Sequence, residues 1–238
     1  MIAIILAAGR GSRLGNFTDD RPKSLLPLKE DTTLLDYNIN VLNKLGVKKI
    51  FIITGYKNEM IEAKVAGHDN IECIFNPFWD TCNVLGSFYL SFPFIEDDFF
   101  FLHADTIVDY SAWEKLQSHK GEVILPYKQK ICGEEEMKVS HDKNGRLKEI
   151  NKTMLGEKAD GEFLGIAKFS ISMIEYLGKT SKALFKEKGL NLYMEEIISE
   201  AINTKINIQT FEIGESKFVE VDFSEDYELA IKRFGSEG

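Results

Sequence analysis

An unbroken apolar segment, Ile2 to Ala8, runs directly into a loop carrying Gly9, Gly11 and Gly15, followed by Arg21-Pro22-Lys23-Ser24-Leu25-Leu26-Pro27. A short apolar run without alternation reads as a strand covered on both faces, the pattern of a parallel sheet. The loop that follows it is built from residues with little or no side chain, so backbone N–H groups can close on a polyphosphate. Arg10, Arg13 and Lys23 add cations that can neutralise phosphate oxygens. The glycine spacing is G-x-G-x-x-x-G, one residue longer than the dinucleotide fingerprint, and no Gly-Lys-Ser/Thr follows as in a P-loop. The competing reading is a tight turn that only packs strand on helix.

The order of elements predicts the rest of the architecture. Leu34 to Leu45 places apolar residues on one helical face and ends at Gly46. Lys49 to Thr54 is a second apolar strand, Glu59 to Val65 a helix, Ile71 to Phe75 a third strand and Leu85 to Phe92 a helix. Asp98 to His103 is again apolar without alternation. Alternating strands and helices of this kind give a doubly wound, mostly parallel α/β sheet. From about residue 122 to 170 the pattern changes to short strands at 122–126, 137–141, 146–151 and 162–169. Turn signals such as Asp142-Lys-Asn-Gly145 separate them and predict a small antiparallel insertion on one side of the cleft. Helices at 172–186 and 193–203, strands at 206–211 and 218–221, and a helix from about 224 to 234 complete a single domain spanning 1–238.

Composition narrows the function classes. With 29 Lys and Arg against 38 Asp and Glu, the net charge of -9 excludes a broad nucleic-acid surface, so any polyanion must be bound locally. The apolar start is too short and too abruptly followed by Gly and Arg for a leader or a spanning helix, which predicts a cytoplasmic protein without a membrane partner. Cys73, Cys82 and Cys132 are odd in number and lack metal-ligand spacing, so reduced thiols are expected.

Two aspartates stand just beyond apolar strands, Asp105 in Leu102-His-Ala-Asp-Thr106 and Asp222 in Val219-Glu-Val-Asp-Phe223. Open α/β sheets place ligands at the carboxyl edge, where two carboxylates from distant parts of the chain can share a hard divalent cation. Helix capping or a turn role is the alternative for each.

The pairing of Leu6-Ala-Ala-Gly-x-Gly-x-Arg-Leu14 with Arg-Pro-Lys-x-Leu-x-Pro resembles the nucleotidyltransferases that join an NTP to a phosphorylated sugar or alcohol. Asn76-Pro-Phe-Trp-Asp-Thr-Cys-Asn83-Val-Leu-Gly-Ser87 is similar to the corresponding segment of the phosphocholine and 2-aminoethylphosphonate cytidylyltransferases. That resemblance extends to Gly161-Glu-Phe-Leu-Gly165, Asn191-Leu-Tyr-Met-Glu-Glu196 and the terminal Glu220-Val-Asp-Phe. It implies CTP and a small phosphorylated or phosphonate acceptor as partners, Mg²⁺ or Mn²⁺ held by Asp105 and Asp222, and catalysis by Lys23 and Arg13. The nucleotide would lie on Leu6, Ala7, Ala8, Gly9, Gly11, Ser12, Arg13, Asn83, Ser87 and Ala104; a helix-capping role for Asn83 competes with this. On the acceptor side Lys152, Glu136 and Tyr193 are candidates, against a solvated lysine and a solvated Glu134-Glu-Glu136 strand edge. The resemblance also leaves room for a homodimer.

This chain departs from the pattern where Cys82 replaces the first of a doubled Asn and where Glu134-Glu-Glu-Met137 holds no Trp for a choline cage. A sugar-1-phosphate nucleotidyltransferase is the alternative among enzymes, and a nucleotide-sensing module without turnover the alternative outside them. The latter would tend to lose Lys23, Asp105 or Asp222, and all three are present.

Overall fold

The computed structural model describes residues 1–235. Its elements run β1 (Ile2–Ala7), β2 (Pro27–Lys29), β3 (Thr32–Thr33), α1 (Leu34–Lys44), β4 (Lys49–Thr54), α2 (Asn58–Val65), β5 (Ile71–Phe75), α3 (Val84–Ser91), β6 (Phe99–His103), β7 (Thr106–Val108) and α4 (Tyr110–Ser118). There follow β8 (Val123–Lys128), β9 (Lys138–His141), β10 (Leu147–Asn151), β11 (Gly161–Phe163), β12 (Ile166–Phe169), α5 (Ile174–Lys188), α6 (Glu195–Ile202), β13 (Ile208–Glu212), β14 (Phe218–Glu220) and α7 (Ser224–Phe234).

β1 is an interior strand of one large sheet, and its side chains have apolar partners on both faces. It pairs in parallel with β4 and β6, and β4 pairs in parallel with β5. Ile2 and Ile4 enter one core with Phe88, Phe99 and Phe101, whereas Ala3, Ile5 and Ala7 enter the opposite one with Phe100, Leu102 and Trp113. The lack of alternation in β1 and β6 is the sequence consequence of being covered twice. Each fully buried aliphatic or phenyl group contributes about 1.5–3 kcal/mol relative to exposure. The sheet is thereby held rigid under the loop at its carboxyl edge.

Beyond β6 the same sheet continues through β12, β8, β11, β9 and β10, each paired antiparallel to its neighbour, while β13 adds to β8 in parallel. The antiparallel region predicted for about 122–170 is therefore an extension of the parallel half. The strand expected over 162–169 is two strands, broken where Gly165 adopts φ +68, a left-handed conformation that ends one ladder and starts the next. Helix α4 was not anticipated from the sequence. Only Ala112, Trp113 and Leu116 of its nine residues are buried, too few to mark a period, yet Trp113 packs edge-on against Phe100 at 5.4 Å and closes that face.

The two-stranded ribbon β7–β14 was half anticipated, since β14 was expected and β7 was not. It pairs Thr106 to Val108 with Phe218 to Glu220, and Val221 N–H donates to the Asp105 carbonyl at 3.1 Å. This short ribbon brings the far end of the chain to the carboxyl end of β6.

Candidate active site

The glycine loop is shaped to admit Lys23. Gly11 has φ +74, and a Cβ there would lie 2.9 Å from Lys23 Cβ, so both the backbone and the space exclude a larger residue. Thr18 Oγ1 ties the loop by donating to the carbonyls of Gly11 and Gly15. The extended Pro22 and a single turn over Lys23–Leu25 direct the Lys23 stem beneath Gly11. Its ammonium emerges between two carboxylates, 2.7 Å from Asp105 Oδ2 and 2.7 Å from Asp222 Oδ1.

That contact joins the residues expected to act together. Burial opposes the charged amine, but Asp105 and Asp222 outweigh it and hold Lys23 protonated well above its ordinary range. Burial likewise opposes ionisation of Asp105, and the Lys23 and His103 charges reverse it, so the Asp105 carboxyl sits below its ordinary value. The capping alternative for Asp222 does not hold. Asp226 Oδ2 accepts from the Phe223 and Asp222 backbone N–H groups at the start of α7, leaving the Asp222 carboxylate to Lys23 and, at 3.3 Å, to Arg13. Arg13 also pairs with Glu135 at 3.2 Å, bridging the phosphate loop to the antiparallel half. Arg10 turns instead to Asp19 at 3.1 Å.

Of the remaining loop candidates, Gly9 and Ser12 are exposed and Gly11 half-buried at the carboxyl edge of β1. The Leu6 carbonyl accepts from Ala104 N–H, and the Ala8 carbonyl from Tyr56 N–H, so the backbone of Leu6, Ala7, Ala8 and Ala104 forms the floor. Asn83 caps α3, its Oδ1 accepting from Val84 N–H at 2.8 Å and its Nδ2 donating to Asn191. It also borders a cleft of about 300 Å³ shared with Arg13, Asp105, Asp222, Lys152 and Tyr193. Ser87 lies deeper than Asn83. It is buried, accepts from Asn76 Nδ2 at 3.0 Å and is turned into the packing beneath α3, one helical turn past the cap.

Glu136 lines a different groove. Its carboxylate is drawn 3.0 Å from Lys130, in a neighbouring groove, away from Lys152 and Tyr193. Those two do face each other, the Lys152 ammonium lying 5.2 Å from the centre of the Tyr193 ring. Lys138 fixes this wall from within. Its buried ammonium donates to the carbonyls of Glu134, Glu136 and Lys152 at 3.1, 3.1 and 2.8 Å.

Three polar residues of the cleft were not anticipated: His103, Glu195 and Glu220. Burial disfavours the imidazolium, but Glu220, Asp105 and Glu195 surround it and raise His103 to about 9. Glu195 is only 3% exposed, its Oε2 has no hydrogen-bond partner among the described residues, and burial pushes its carboxyl up. The triplet Glu220-Val-Asp222 carried a readable signal: two acids spaced by two on a strand end share one side. Glu195 lay within the Asn191-Leu-Tyr-Met-Glu-Glu196 segment without being singled out, and His103, alone at the end of an apolar strand, carried no signal.

The donors suit a hard cation. Lys23 already demonstrates that Asp105 and Asp222 converge on one positive charge, and Asp105 Oδ1 is buried with no partner. Atoms of His103, Asp105 and Glu220 also lie within 4.8 Å of one another.

Known proteins resemble this chain over nearly its whole length. The CTP:phosphoglutamine cytidylyltransferase of Campylobacter jejuni is 26% identical over 260 residues, covering 98% of this chain and 100% of its own. The choline-phosphate cytidylyltransferase of Haemophilus influenzae is 27% identical over 236 residues, covering 98% and 97%. The structure of the inositol-1-phosphate CTP transferase from T. maritima superimposes with a TM-score of 0.76 at 23% identity, over 98% of this chain and 96% of that one, and so shares the fold. Residues 3–143, from β1 through β9, match a family directly, and on that match the chain belongs to the MobA-like NTP transferase domain family and is a nucleotidyltransferase.

Proposed function

We propose that the protein transfers CMP from CTP to a small phosphorylated or phosphonate alcohol or amine and releases pyrophosphate. The observation that carries this reading is the Lys23 ammonium clasped by Asp105 and Asp222 beneath the glycine loop. The two cytidylyltransferases that match the chain from end to end support CTP as donor.

No protein nucleophile is required. An acceptor phosphate or phosphonate oxygen is already anionic at neutral pH and attacks the α-phosphorus in line once it is positioned and screened. The exposed N–H groups after β1 cradle the phosphates, Arg13 takes the pyrophosphate side, and Lys23 stands between the α-phosphate and the attacking oxygen. To reach the phosphates Lys23 must relinquish its carboxylates, which leaves Asp105 and Asp222 as the residues that would hold Mg²⁺. The ion supplies positive charge to the phosphoryl oxygens. Lys152, on the cleft wall fixed by Lys138, meets the acceptor's phosphoryl group.

Pyrophosphate release measured over the four NTPs against phosphocholine, phosphoethanolamine, 2-aminoethylphosphonate, glycerol phosphates and hexose 1-phosphates tests the reading. CTP with one of the non-sugar acceptors is the expected pair. Equal turnover with UTP or GTP, or turnover confined to hexose 1-phosphates, overturns it.

A further inference from the structure

The cleft contains a buried carboxyl that the reaction scheme does not use. Glu195 opens α6, is 3% exposed, and leaves Oε2 without a hydrogen-bond partner among the described residues. Its neighbours are differently placed. Asp105 and Asp222 share Lys23, Glu220 faces His103, and the adjacent Glu196 is solvated and pairs with Lys188 at 3.3 Å. Having an acid in the first turn of α6 does not require this burial, because Glu196 serves the helix N-terminus from the outside. The charged His103 lies nearby, but it is shared with Glu220 and Asp105. Withdrawing a carboxylate from water without a dedicated partner costs free energy, and the fold retains it where it borders an open cleft.

Resting on the nucleotidyl-transfer reading, we propose that Glu195 sets acceptor specificity, receiving a primary ammonium at the end of the acceptor opposite its phosphoryl group. The cleft is bipolar in the sense this requires. Lys152 offers positive charge to the acceptor's phosphoryl group, and Glu195 offers a buried carboxyl to another part of the same small molecule. An ammonium satisfies Oε2 twice over, giving it a hydrogen bond and neutralising it. A hydroxyl supplies the hydrogen bond alone. A quaternary ammonium has no N–H to donate and depends on aromatic faces, and the Tyr193 ring already has the Lys152 ammonium 5.2 Å from its centre.

The test uses the full chain with Mg²⁺ and CTP, and phosphoethanolamine, phosphocholine, glycerol 3-phosphate and glucose 1-phosphate as acceptors, in the wild type and in Glu195→Gln. Phosphoethanolamine is expected to exceed the other three in kcat/KM by at least about tenfold. Glu195→Gln should raise KM for phosphoethanolamine by about tenfold or more, with a smaller change in kcat and none in KM for CTP. It should also melt no lower than the wild type without acceptor, since an unpaired buried carboxyl has been removed; a merely structural glutamate would lower it. Comparable turnover of phosphocholine or glycerol 3-phosphate, or an unchanged KM in Glu195→Gln, overturns the ammonium site and leaves cytidylyl transfer standing. Turnover of glucose 1-phosphate alone, or no pyrophosphate from any acceptor, overturns the proposed function and this inference with it.

Discussion

The two halves of the sheet solve different problems. In the parallel half, β1, β4 and β6 are buried on both faces, and their carboxyl ends deliver Gly9, Gly11, Ala104 and Asp105 to one edge with little freedom left to the backbone. In the antiparallel half the strands are three to six residues long, and the cleft wall is set by individual polar contacts: Lys138 on three carbonyls, Lys130 on Glu136 and Glu162, Arg13 on Glu135. A phosphate site that serves a common reaction can be built by backbone alone. An acceptor site that must distinguish small molecules is built from side chains, and those are free to differ without disturbing the core.

The sharpest way to break this comparison is to remove the pair of acids at the junction of the halves. Asp105→Ala and Asp222→Ala should each reduce turnover by about a thousandfold without loss of folding, and the double variant should be scarcely worse, because residues acting as one unit are non-additive. Pyrophosphate release in titrations with Mg²⁺ and Mn²⁺, and in EDTA, is the measurement. Two mild and additive losses, or full turnover in EDTA, would show that the acids do not share a cation.

Lys23→Ala comes next. It removes charge used chiefly in the transition state, so kcat should fall about a hundredfold while KM for CTP changes less. It also leaves Asp105 and Asp222 facing one another without their ammonium, so Mg²⁺ alone should raise the melting temperature of the variant more than that of the wild type. Near-normal kcat would remove Lys23 from the chemistry.

In the antiparallel half, Glu162 is the residue whose charge depends most on its wall. Burial lifts its carboxyl from 4.5 to about 7, with Lys130 at 3.0 Å only partly offsetting it. Between those values the folded protein holds a proton that the unfolded chain has released, so the stability this provides is complete below pH 4.5 and lost as pH rises through 7. The loss is on the order of 3 kcal/mol. Glu162→Gln should flatten melting temperature against pH across that window. An unaltered slope would show that the group is not buried as described.

How much of this was legible in the sequence follows the same division. The glycine loop, Lys23, Arg13, Asp105 and Asp222 could be read because each sits at a fixed offset from an apolar strand, and such a strand leaves a strong local signature. The order of strands β1, β4, β5 and β6 and of the helices between them could be read for the same reason. Helix α4 could not, since Trp113 buries most of its apolar surface in one side chain and leaves no period. Nor could the break at Gly165, where a single left-handed glycine turns one expected strand into two. The depth of Ser87 could not be read either: the residue four after a cap lies on the same helical face as the cap, yet that face of α3 passes into the packing within one turn. Glu195 and His103 acquire meaning only when the two halves meet.

A gentler probe of the parallel half is Gly9→Ala. A methyl at Gly9 meets nothing within 4 Å and the backbone there needs no left-handed angle, so the free protein should be unaffected. If phosphates close on the backbone there, KM for CTP should rise about tenfold with the melting temperature unchanged. Gly11→Ala is the contrast, since its methyl meets the Lys23 stem and should lower stability and kcat together. Equal KM values for Gly9→Ala and the wild type would move the phosphates elsewhere.

The smallest effect belongs to Asn83, where the halves of the cleft share a helix cap. Its Oδ1 holds the first N–H of α3 and its Nδ2 holds Asn191, so the amide is committed on both sides before any nucleotide arrives. Asn83→Ser keeps a capping oxygen and discards the amide donor, and capping preferences place the stability change within a few tenths of a kcal/mol, or about 0.5 kcal/mol at most. If the amide also reads the base, KM for CTP should rise about threefold and the preference for CTP over UTP should narrow, an effect worth less than 1 kcal/mol by the usual conversion. If both stay at wild-type values, Asn83 is a cap alone. The base is then read by groups other than this amide, and nucleotide selection does not depend on the contact at which the halves of the cleft share a helix cap.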